Sequence, residues 1–370
     1  MKLSKFIAVA AVATVLMPAM AMAEKCAATL SGGTGGDIQA AIDAAEAGDK
    51  ICLSGTFTDV AVVIPGDKPG LTLTSESKKD PAVLSNLGVP PAITGITLLD
   101  GADSITISDL IIDVFGFGIN GIGNNTNISI LRNEITSTGV VANSTNSDNS
   151  GWVVADNTIQ TEFVGIAAIN ADDITIRNND ISFIENRFAG VNGTLFGMLL
   201  TNNADEEAVD LSGIMIADNT VAATLDFDPR FKIGISLDSS FFVSGMDLAI
   251  DGTKIFRNSV TGMDFGIRIE SLGGFASATA TSVFDDINML KNVVDCGGSF
   301  AAEGLQLIGN NRGVVSDVQL ISNSFRNCSA DVVETGDVSD VRLLGKARRE
   351  SGIAGPPPMA SIAGGELEMN

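Results

Sequence analysis

One repeated pattern constrains the fold of this chain more than any other feature. Two alternating apolar residues are followed three residues later by Asn and, two residues further on, by another apolar residue, as in 128–135. Seven copies have Asn at this position, and an eighth copy, residues 105–112, has Leu110 there. Such self-similarity predicts stacked structural units, and the alternation within each copy predicts short strands with one buried face. The copies with Asn contain Asn133, Asn157, Asn179, Asn219, Asn258, Asn292 and Asn323.

A second element lies between these copies, in which Gly precedes another short alternating strand. It occurs at 165–166, 197–198, 234–237, 266–269 and 304–307. The first three Asn residues of the repeat are 24 and 22 residues apart, about one coil of a solenoid, and the later spacings of 40, 39, 34 and 31 indicate loops inserted into the coils. The stretches with a 3.6-residue period that a helical solenoid needs are absent, so the pattern predicts stacked β-coils.

The N-terminal region favours the same architecture. Residues 37–49 form an amphipathic pattern with Ile38, Ala41, Ile42 and Ala45 on one helical face and Gly48 as the stop, followed by an apolar strand. With the repeats, this opening resembles the right-handed parallel β-helix of the pectin-lyase-like superfamily over residues 34–343. The resemblance implies an all-β, right-handed parallel β-helix solenoid with an N-terminal capping helix.

The repeated Asn residues are expected to stack once per coil. Their side-chain amides would then form an internal ladder of hydrogen bonds along the axis, as in other structures of stacked strands. A role as ligand-binding amides is the alternative interpretation. A residue that recurs once per coil at a turn favours the structural role.

Composition limits the chemistry that is available. The chain contains no His and no Tyr, which excludes Ser-His-Asp and Cys-His nucleophile systems, imidazole acid–base catalysis and His-ligated metal sites. The formal net charge is −23, and no basic patch is visible, so nucleic acid is a poor partner for this acidic protein. The negative charge of the protein also disfavours polyanionic glycans as partners, unless a cation bridges the protein and the glycan.

Both ends of the chain depart from the repeat. Lys2 and Lys5, an apolar stretch and a small-residue site ending at Ala23 predict a signal peptide over 1–23. We therefore expect a β-helix domain with its cap over 24–343 and a disordered tail, rich in Pro, Gly and Ala, over 344–370. The protein is expected to be secreted or periplasmic, without membrane insertion.

Four cysteines follow the predicted signal peptide, which suits an oxidising compartment. They allow three pairings, and the repeat register selects one. Cys296 and Cys328 follow successive repeat Asn residues by four and five positions, so we expect them to meet on adjacent coils and Cys26 to pair with Cys52 in the cap. A metal site is the alternative, against which the absence of CxxC spacing argues.

The candidate site lies on outward positions of the Gly-led strands, because the resemblance implies a substrate groove along a parallel sheet. Asp238 and Glu270 occupy equivalent positions on neighbouring coils, so their backbones should lie about 5 Å apart, and both are expected to face solvent. Such a pair suits glycoside hydrolysis, with Arg268 positioning a substrate. The alternative interpretation is that these three residues have no catalytic role and form an ordinary charge cluster on the surface.

A nearby insertion could contribute to this site. It spans residues 226–232 and contains Arg230, a fourth candidate catalytic residue, together with Asp226 and Asp228 as candidate calcium ligands. Lyases of the family that this chain resembles use Arg or Lys as a base with calcium held by Asp. Calcium is therefore the one cofactor that the sequence suggests.

The resemblance implies an extracellular polysaccharide or cell-surface glycan as the partner. We expect an exported β-helix protein that binds or structures such a polysaccharide without catalysis, because no catalytic signature of the family is present. The alternative is a polysaccharide lyase or glycoside hydrolase that acts in a groove on the β-helix.

Overall fold

The architecture is described from a computed structural model of the chain. The described part of the chain comprises residues 25–86, 94–114, 116–137, 139–143, 149–184, 194–201, 209–223, 231–239, 248–272, 281–297, 302–310, 312–345 and 349–351. The predicted signal peptide and most of the predicted tail lie outside it.

The described chain has one helix, α1 (Gly35–Ala44), and many short strands. The strands are β1 (Ala28–Thr34), β2 (Lys50–Thr58), β3 (Val62–Ile64), β4 (Thr72–Ser75), β5 (Val83–Asn86), β6 (Ile96–Leu98), β7 (Thr106–Ser108), β8 (Ile111–Val114), β9 (Ile119–Ile122), β10 (Ser129–Leu131), β11 (Glu134–Ser137), β12 (Val140–Asn143), β13 (Asn149–Ser150), β14 (Val153–Ala155), β15 (Thr158–Thr161), β16 (Val164–Ile169), β17 (Ala171–Asp172), β18 (Thr175–Arg177), β19 (Asp180–Phe183), β20 (Leu195–Thr201), β21 (Val209–Leu211), β22 (Met215–Ala217), β23 (Thr220–Ala222), β24 (Lys232–Asp238), β25 (Leu248–Ile250), β26 (Lys254–Phe256), β27 (Ser259–Thr261), β28 (Phe265–Leu272), β29 (Ser282–Phe284), β30 (Ile287–Leu290), β31 (Val293–Asp295), β32 (Glu303–Asn310), β33 (Gly313–Val315), β34 (Val318–Ile321), β35 (Ser324–Arg326), β36 (Ala330–Gly336), β37 (Arg342–Leu344) and β38 (Arg349–Ser351).

Strands pair in parallel with their equivalents one coil away, and the pairs form three long ladders. Two of them, which include β10–β14–β18 and β11–β15–β19, belong to one 21-stranded sheet, called sheet 1. The third, called sheet 2, has 11 strands from β3 to β38 and contains the Gly-led strands. This stacking of three strands per coil is a parallel β-helix, which confirms the fold expected from the repeat.

Sheet 1 bends at one residue between its two ladders. In the eight coils that carry the repeat, the residue just before the Asn or Leu110 position has a left-handed φ of 54–60°. Its N–H still donates to a carbonyl of the next coil, as from Arg132 to Ala155 at 3.1 Å. The unfavourable φ of residues such as Arg132 and Lys291 is therefore held in place by ladder hydrogen bonds on both sides of the corner.

The side chains at this corner also interact on the outside of the coil. Arg132 contacts both carboxylate oxygens of Asp109 at 2.7 and 2.8 Å, and Arg257 contacts both of Asp218 at 2.6 Å. Burial raises the pKa of Asp109, but the hydrogen bonds and charge of Arg132 outweigh it, and the net pKa is lowered. The Arg257–Asp218 pair is exposed and therefore contributes little stability, whereas Asp109 of the other pair is buried.

Inside the corner, the repeated Asn residues form the expected ladder. The Oδ1 atom of Asn219 accepts from the backbone N and from the Nδ2 of Asn179, each at 2.9 Å. Its Nδ2 donates to Ile176 O at 2.9 Å and to Asn258 Oδ1 at 3.0 Å. All four hydrogen-bonding positions of the buried amide are thus filled. At the start of the ladder, Leu110 has no side-chain amide. It therefore contributes only its backbone N–H, which donates to Asn133 Oδ1.

The alternating apolar residues of both sheets point inward and form one continuous core. Ile128, Ile130 and Ile135 are fully buried, as are Ile235 and Leu237 of the Gly-led strand β24. The core extends from the N-terminal helix to Val332 in β36. The inward register predicted from the repeats is confirmed.

Helix α1 lies at the N-terminal end and contacts β1, β2 and β3. Ile38 and Ile42 are fully buried on its predicted apolar face. The helix ends at Ala44, earlier than the predicted stop at Gly48, because Ala45 takes an extended conformation. The Nζ of Lys68 donates to Asp43 O and Ala45 O at 3.2 and 2.6 Å, which satisfies carbonyl groups at this end.

Both predicted disulfides are confirmed. Cys26 is bonded to Cys52 with a Cα–Cα distance of 5.8 Å, and Cys296 to Cys328 with 5.0 Å. The first connects the segment before β1 to β2, and the second connects two coils near the C-terminal end. Each joins neighbouring coils, as the repeat register requires.

The ladders continue to residue 351 at the C-terminal end. Strand β37 pairs with β34, and β38 pairs with β36 of sheet 2. The position where the sequence repeat stops, 343/344, therefore falls within β37. Within the described residues, no helix is long and apolar enough to cross a membrane.

The Asn ladder makes a stability prediction. Asn219→Ala removes an amide that fills four buried hydrogen bonds, and each partner left unsatisfied costs roughly 1–3 kcal/mol. We expect chemical denaturation to show a loss of at least that size. Asn124, which is exposed and outside the ladder, supplies the control Asn124→Ala. Equal stability of the two variants would contradict the structural role of the ladder.

Candidate functional site on the outer face of sheet 2

The outer face of sheet 2 carries side chains in rows that run parallel to the axis. Residues in register on adjacent strands are separated by the ladder spacing of about 4.8 Å. Three rows cross the later coils: Ile233, Phe265 and Glu303; Ser236, Arg268 and Gln306; and Asp238, Glu270 and Ile308. The chemistry of this face is therefore set by which residue each coil places in a row.

The earlier coils make this face apolar. Residues from β12, β16, β20 and β24 form a second hydrophobic cluster outside the core, and Phe117, Phe163 and Phe265 pack against it as partly buried residues. The buried members of the cluster are Val141, Val164, Ala167, Ile169, Phe196, Leu199 and Ile233. The outer face of sheet 2 is thus buried in this region rather than open to water.

The later coils change the face to charged and polar. Arg268 forms an ion pair with Glu270, whose neighbour in register is Asp238. The prediction that Asp238 and Glu270 are equivalent on adjacent coils is confirmed, but the prediction that they face solvent is wrong. They are only 3% and 4% exposed, because the outer face of sheet 2 is itself buried. Removing either charge should therefore affect folding, contrary to the expectation for a surface pair.

Glu303 is a further member of the cluster, which sequence reasoning missed. It is half-buried in β32, one strand away from Arg268, and its side chain is hydrogen-bonded to that of Gln306. Burial raises the pKa of the Glu303 carboxyl, while the charge of Arg268 and the bond to Gln306 lower it to a smaller extent. The sequence contained a signal for this residue. The position before the strand Gly is charged in β32, where it is Glu303, and apolar in the four earlier Gly-led strands, where it is Val164, Phe196, Ile233 and Phe265.

Four polar atoms in this region are buried without a hydrogen-bond partner in the described part of the chain. They are Ser236 Oγ, Arg268 Nε, Gln306 Oε1 and Glu303 Oε2. Ser236 and Gln306 are 0% and 8% exposed, and both are in register with Arg268. Buried polar groups are nearly always paired in folded proteins, so four such atoms on three adjacent strands mark this region as unusual. Arg268, Glu270, Asp238, Ser236, Glu303 and Gln306 are called the Arg268 cluster below.

Aromatic side chains lie at the edge of the Arg268 cluster. The rings of Phe231 and Phe265 have their centroids 6.3 Å apart and are tilted by 35°. The guanidinium carbon of Arg268 lies 5.9 Å from the centroid of Phe265. Phe231 is 46% exposed, one of the largest exposures among the apolar residues described. A partly exposed aromatic surface thus adjoins a group of buried polar atoms.

The structure does not give a position for the other candidate residues that were predicted from the sequence. Arg230, Asp226 and Asp228 lie outside the described residues. Within the described ranges, no three or more Asp, Glu, His or Cys side chains are grouped so that they could hold a metal ion.

Comparison with known proteins gives matches among solved structures only. No protein-family model and no curated protein matches this chain. An alginate lyase from Paenibacillus sp. str. FPU-7 is similar, with 13% identity and a TM-score of 0.47 over 84% of this chain and 99% of that one. A polygalacturonase from Erwinia carotovora ssp. carotovora has 13% identity and a TM-score of 0.47, covering 90% and 96% of the two chains.

A third similar structure is the catalytic unit of a GH87 alpha-1,3-glucanase from Streptomyces thermodiastaticus strain HF3-3. It has 12% identity and a TM-score of 0.43 over 88% of this chain and 69% of that one. Identities this low do not transfer an activity to this chain.

The environment of Glu303 predicts a dependence of stability on pH. Because its pKa is raised in the folded protein, the folded state binds more protons than the unfolded state between the two pKa values. Glu303 therefore lowers the free energy of unfolding as the pH rises through that window. We expect Glu303→Gln to remove this loss, so that the variant gains stability relative to the wild type as the pH rises above the ordinary pKa of a Glu side chain.

Thermal unfolding of both proteins across this pH range measures the effect. Glu134→Gln, at an exposed position on sheet 1, is the matched control and should follow the wild-type pH dependence. If the difference between Glu303→Gln and the wild type does not change with pH, the raised pKa of Glu303 is contradicted.

Proposed function

We propose that this protein binds a polysaccharide at the Arg268 cluster on the outer face of sheet 2, without catalysis. The observation that carries the proposal is the set of four buried polar atoms that lack a partner in the described chain. A ligand that hydrogen-bonds these atoms would remove a cost of about 1–3 kcal/mol for each of them. This cost favours the bound state over the empty one.

The donor and acceptor types of the four atoms favour a ligand rich in hydroxyl groups. Arg268 Nε is a donor, Gln306 Oε1 and ionised Glu303 Oε2 are acceptors, and Ser236 Oγ can be either. A sugar hydroxyl both donates and accepts, so adjacent hydroxyls of one ring can satisfy this mixture. A purely anionic ligand could satisfy only the donors.

The aromatic edge supports the same ligand class. Phe231 and Phe265 offer an exposed apolar surface beside the polar atoms. Pyranose rings have apolar C–H faces as well as hydroxyl edges, and they can pack on a phenyl ring while their hydroxyls reach polar side chains. Binding sites commonly combine aromatic walls with a few positioned polar groups in this way.

The rows of sheet 2 favour a polymer over a single sugar. Each row continues from coil to coil, so a chain that lies along the axis could contact several strands with similar spacing. This extension is also what the resemblance to pectin-lyase-like β-helices implies. It is an argument by analogy of fold, whereas the Arg268 cluster is a property of this chain.

The pairing of Glu270 favours binding over turnover. Its carboxylate is held in an ion pair by Arg268, which lowers its ability to act on a glycosidic bond. One observation favours the alternative, a glycoside hydrolase. Glu303 has a raised pKa, whereas Glu270 on the neighbouring strand is paired with a cation, and carboxyls in such different environments can serve as acid and base.

The location and domain organisation form a related proposal. Two disulfides suit an oxidising compartment, which supports export by the predicted signal peptide 1–23 to the periplasm or the exterior. We further propose that the β-helix is right-handed and that α1 caps its first coil. Its strands continue past the predicted boundary at 343 to β38, so the proposed tail is the part of 344–370 that follows β38. Calcium held by Asp226 and Asp228, with Arg230 nearby, stays a proposal.

Substitution of Phe231 tests the binding site. Because Phe231 is largely exposed, Phe231→Ala should fold normally but bind a polysaccharide selected on a glycan array roughly threefold to tenfold more weakly. Isothermal titration calorimetry measures the affinities. Leu344→Ala, which removes an exposed apolar side chain outside sheet 2, is the control. Unchanged affinity of Phe231→Ala would exclude this face as the binding site.

Turnover of the same polysaccharide distinguishes binding from hydrolysis. The proposed binding protein releases no reducing ends, whereas a hydrolase would release them and lose the activity in Glu303→Gln. An amide cannot donate a proton to the leaving oxygen, so the loss should be nearly complete. Release of reducing ends by the wild type would overturn the non-catalytic proposal.

A further inference from the structure

The two disulfides lie at the two ends of the β-helix, beside strands of sheet 1 that have a neighbour on one side only. In the described chain, β1 pairs with β2 alone and β35 pairs with β31 alone. Cys26 is two residues before β1, and Cys328 is two residues after β35. Each coil of a solenoid is held only by its neighbours, so the stack opens most easily at such terminal strands. Both disulfides therefore reinforce a place where the hydrogen-bonded ladder ends.

The Asn ladder also ends at the C-terminal coils. Asn323 Oδ1 accepts from the backbone N and from the Nδ2 of Asn292, each at 2.9 Å. Within the described residues, no later Asn continues the ladder, and Asn323 is 8% exposed whereas Asn292 is 1% exposed. The covalent link between these two coils is Cys296–Cys328, with a Cα–Cα distance of 5.0 Å. This disulfide thus joins the last two coils of the Asn ladder.

The same disulfide precedes the strands of sheet 2 that lie next to the Arg268 cluster. Cys296 comes before β32, which carries Glu303 and Gln306, and Cys328 comes before β36. Strand β32 is paired with β28 of the cluster on one side and with β36 on the other. Release of β36 would therefore expose the edge of β32 and its cluster residues. A change at the disulfide can reach the cluster through β36 without any direct contact.

The two cysteines of this pair differ in exposure. Cys296 is buried in the core, whereas Cys328 is partly exposed and packs against it. A dithiol in solution can therefore attack the Cys328 sulfur as a thiolate and release Cys296 as a thiolate. The second thiol of the reagent then breaks the mixed disulfide and releases Cys328. Two electrons pass from the dithiol, which becomes a disulfide, to the two cysteines, which take up its two thiol protons.

We propose that Cys296–Cys328 is a redox-sensitive lock on the C-terminal coils, and that its reduction by a dithiol releases β35 and β36 while the coils joined by the Asn ladder stay folded. The lock itself is a property of the stack. Its functional consequence, weaker binding of a polysaccharide at the Arg268 cluster, rests on the proposed function. Cys26–Cys52, at the opposite end, has no such effect on the cluster.

Hydrogen–deuterium exchange of the full-length protein with mass spectrometry tests the lock. The variant with Cys26→Ser and Cys52→Ser keeps only the C-terminal disulfide, so dithiothreitol acts on this disulfide alone. We expect reduction to accelerate the exchange of amides in β35 and β36 by about tenfold or more, because a disulfide that closes a loop of this size contributes at least that much stability. Amides in β14 and β18, in the middle of the stack, should exchange at an unchanged rate.

The variant with Cys296→Ser and Cys328→Ser is the matched control. It should exchange rapidly in β35 and β36 without dithiothreitol and show no further change with it. If this variant does not fold, the reduction of protein that is already folded still decides the question, because the oxidised sample is its own reference. Alkylation followed by peptide mapping measures how much of the disulfide is reduced in each sample.

The exchange results can contradict the lock in three ways. A disulfide that dithiothreitol reduces in the denatured protein but leaves intact in the folded one is not redox-sensitive. Unchanged exchange in β35 and β36 after complete reduction shows that the disulfide does not hold these strands. Acceleration that extends equally to β14 and β18 shows global unfolding instead of local release.

Calorimetry with the polysaccharide selected on the glycan array tests the functional consequence. We expect reduction to weaken its binding by about tenfold, whereas loss of Cys26–Cys52 alone leaves the affinity unchanged. Unchanged affinity after reduction, together with faster exchange in β36, overturns the control of the cluster by the lock and leaves polysaccharide binding intact. If the oxidised protein binds no glycan on the array, the proposed function is refuted, and the exchange experiment alone decides on the lock.

Discussion

The structure depends on the stacking of one coil on the next through the hydrogen bonds of the Asn ladder and of the backbone ladders. The Asn ladder shows this most clearly, because the buried amide of Asn219 fills both donor and both acceptor positions, three with the preceding coil and one with Asn258 of the next. The backbone ladders do the same for the main chain, even through the left-handed residue at the corner of sheet 1. Since an Asn amide that loses its neighbour becomes a buried, unpaired group, each coil specifies the position of the next.

This stacking explains where the candidate site lies. Inward positions are committed to the core and to the Asn ladder, so only outward positions are free to vary from coil to coil. On sheet 2 they change from apolar in the coils with Val164 and Phe196 to polar in those with Arg268 and Glu303. The unsatisfied atoms of the Arg268 cluster stand out because the same chain satisfies its polar groups so completely along the Asn ladder.

How much of the site was predictable differs between its residues. The register of the Gly-led strands was sufficient to place Asp238 beside Glu270 and Arg268 beside them, because period-two alternation and the repeat spacing determine register. Their burial was not predictable, since solvent exposure depends on what covers a strand and not on its own sequence. Glu303 was missed because its position precedes the strand Gly and is apolar in the coils before it. Its raised pKa arises from burial, which a sequence does not state.

By itself, the sequence determined the stacked β-coils, their inward residues, the Asn ladder and both disulfide pairings. These follow from local periodicity and from a repeat that places equivalent residues one coil apart. The pattern within each repeat therefore also predicts which residues of different coils are in contact. Only the tertiary structure decided that the outer face of sheet 2 is buried, that helix α1 ends at Ala44, and that Ser236, Arg268, Glu303 and Gln306 keep buried atoms without partners. The physical reason is that burial and hydrogen-bond satisfaction are properties of the packed surroundings of a residue, which no single repeat contains.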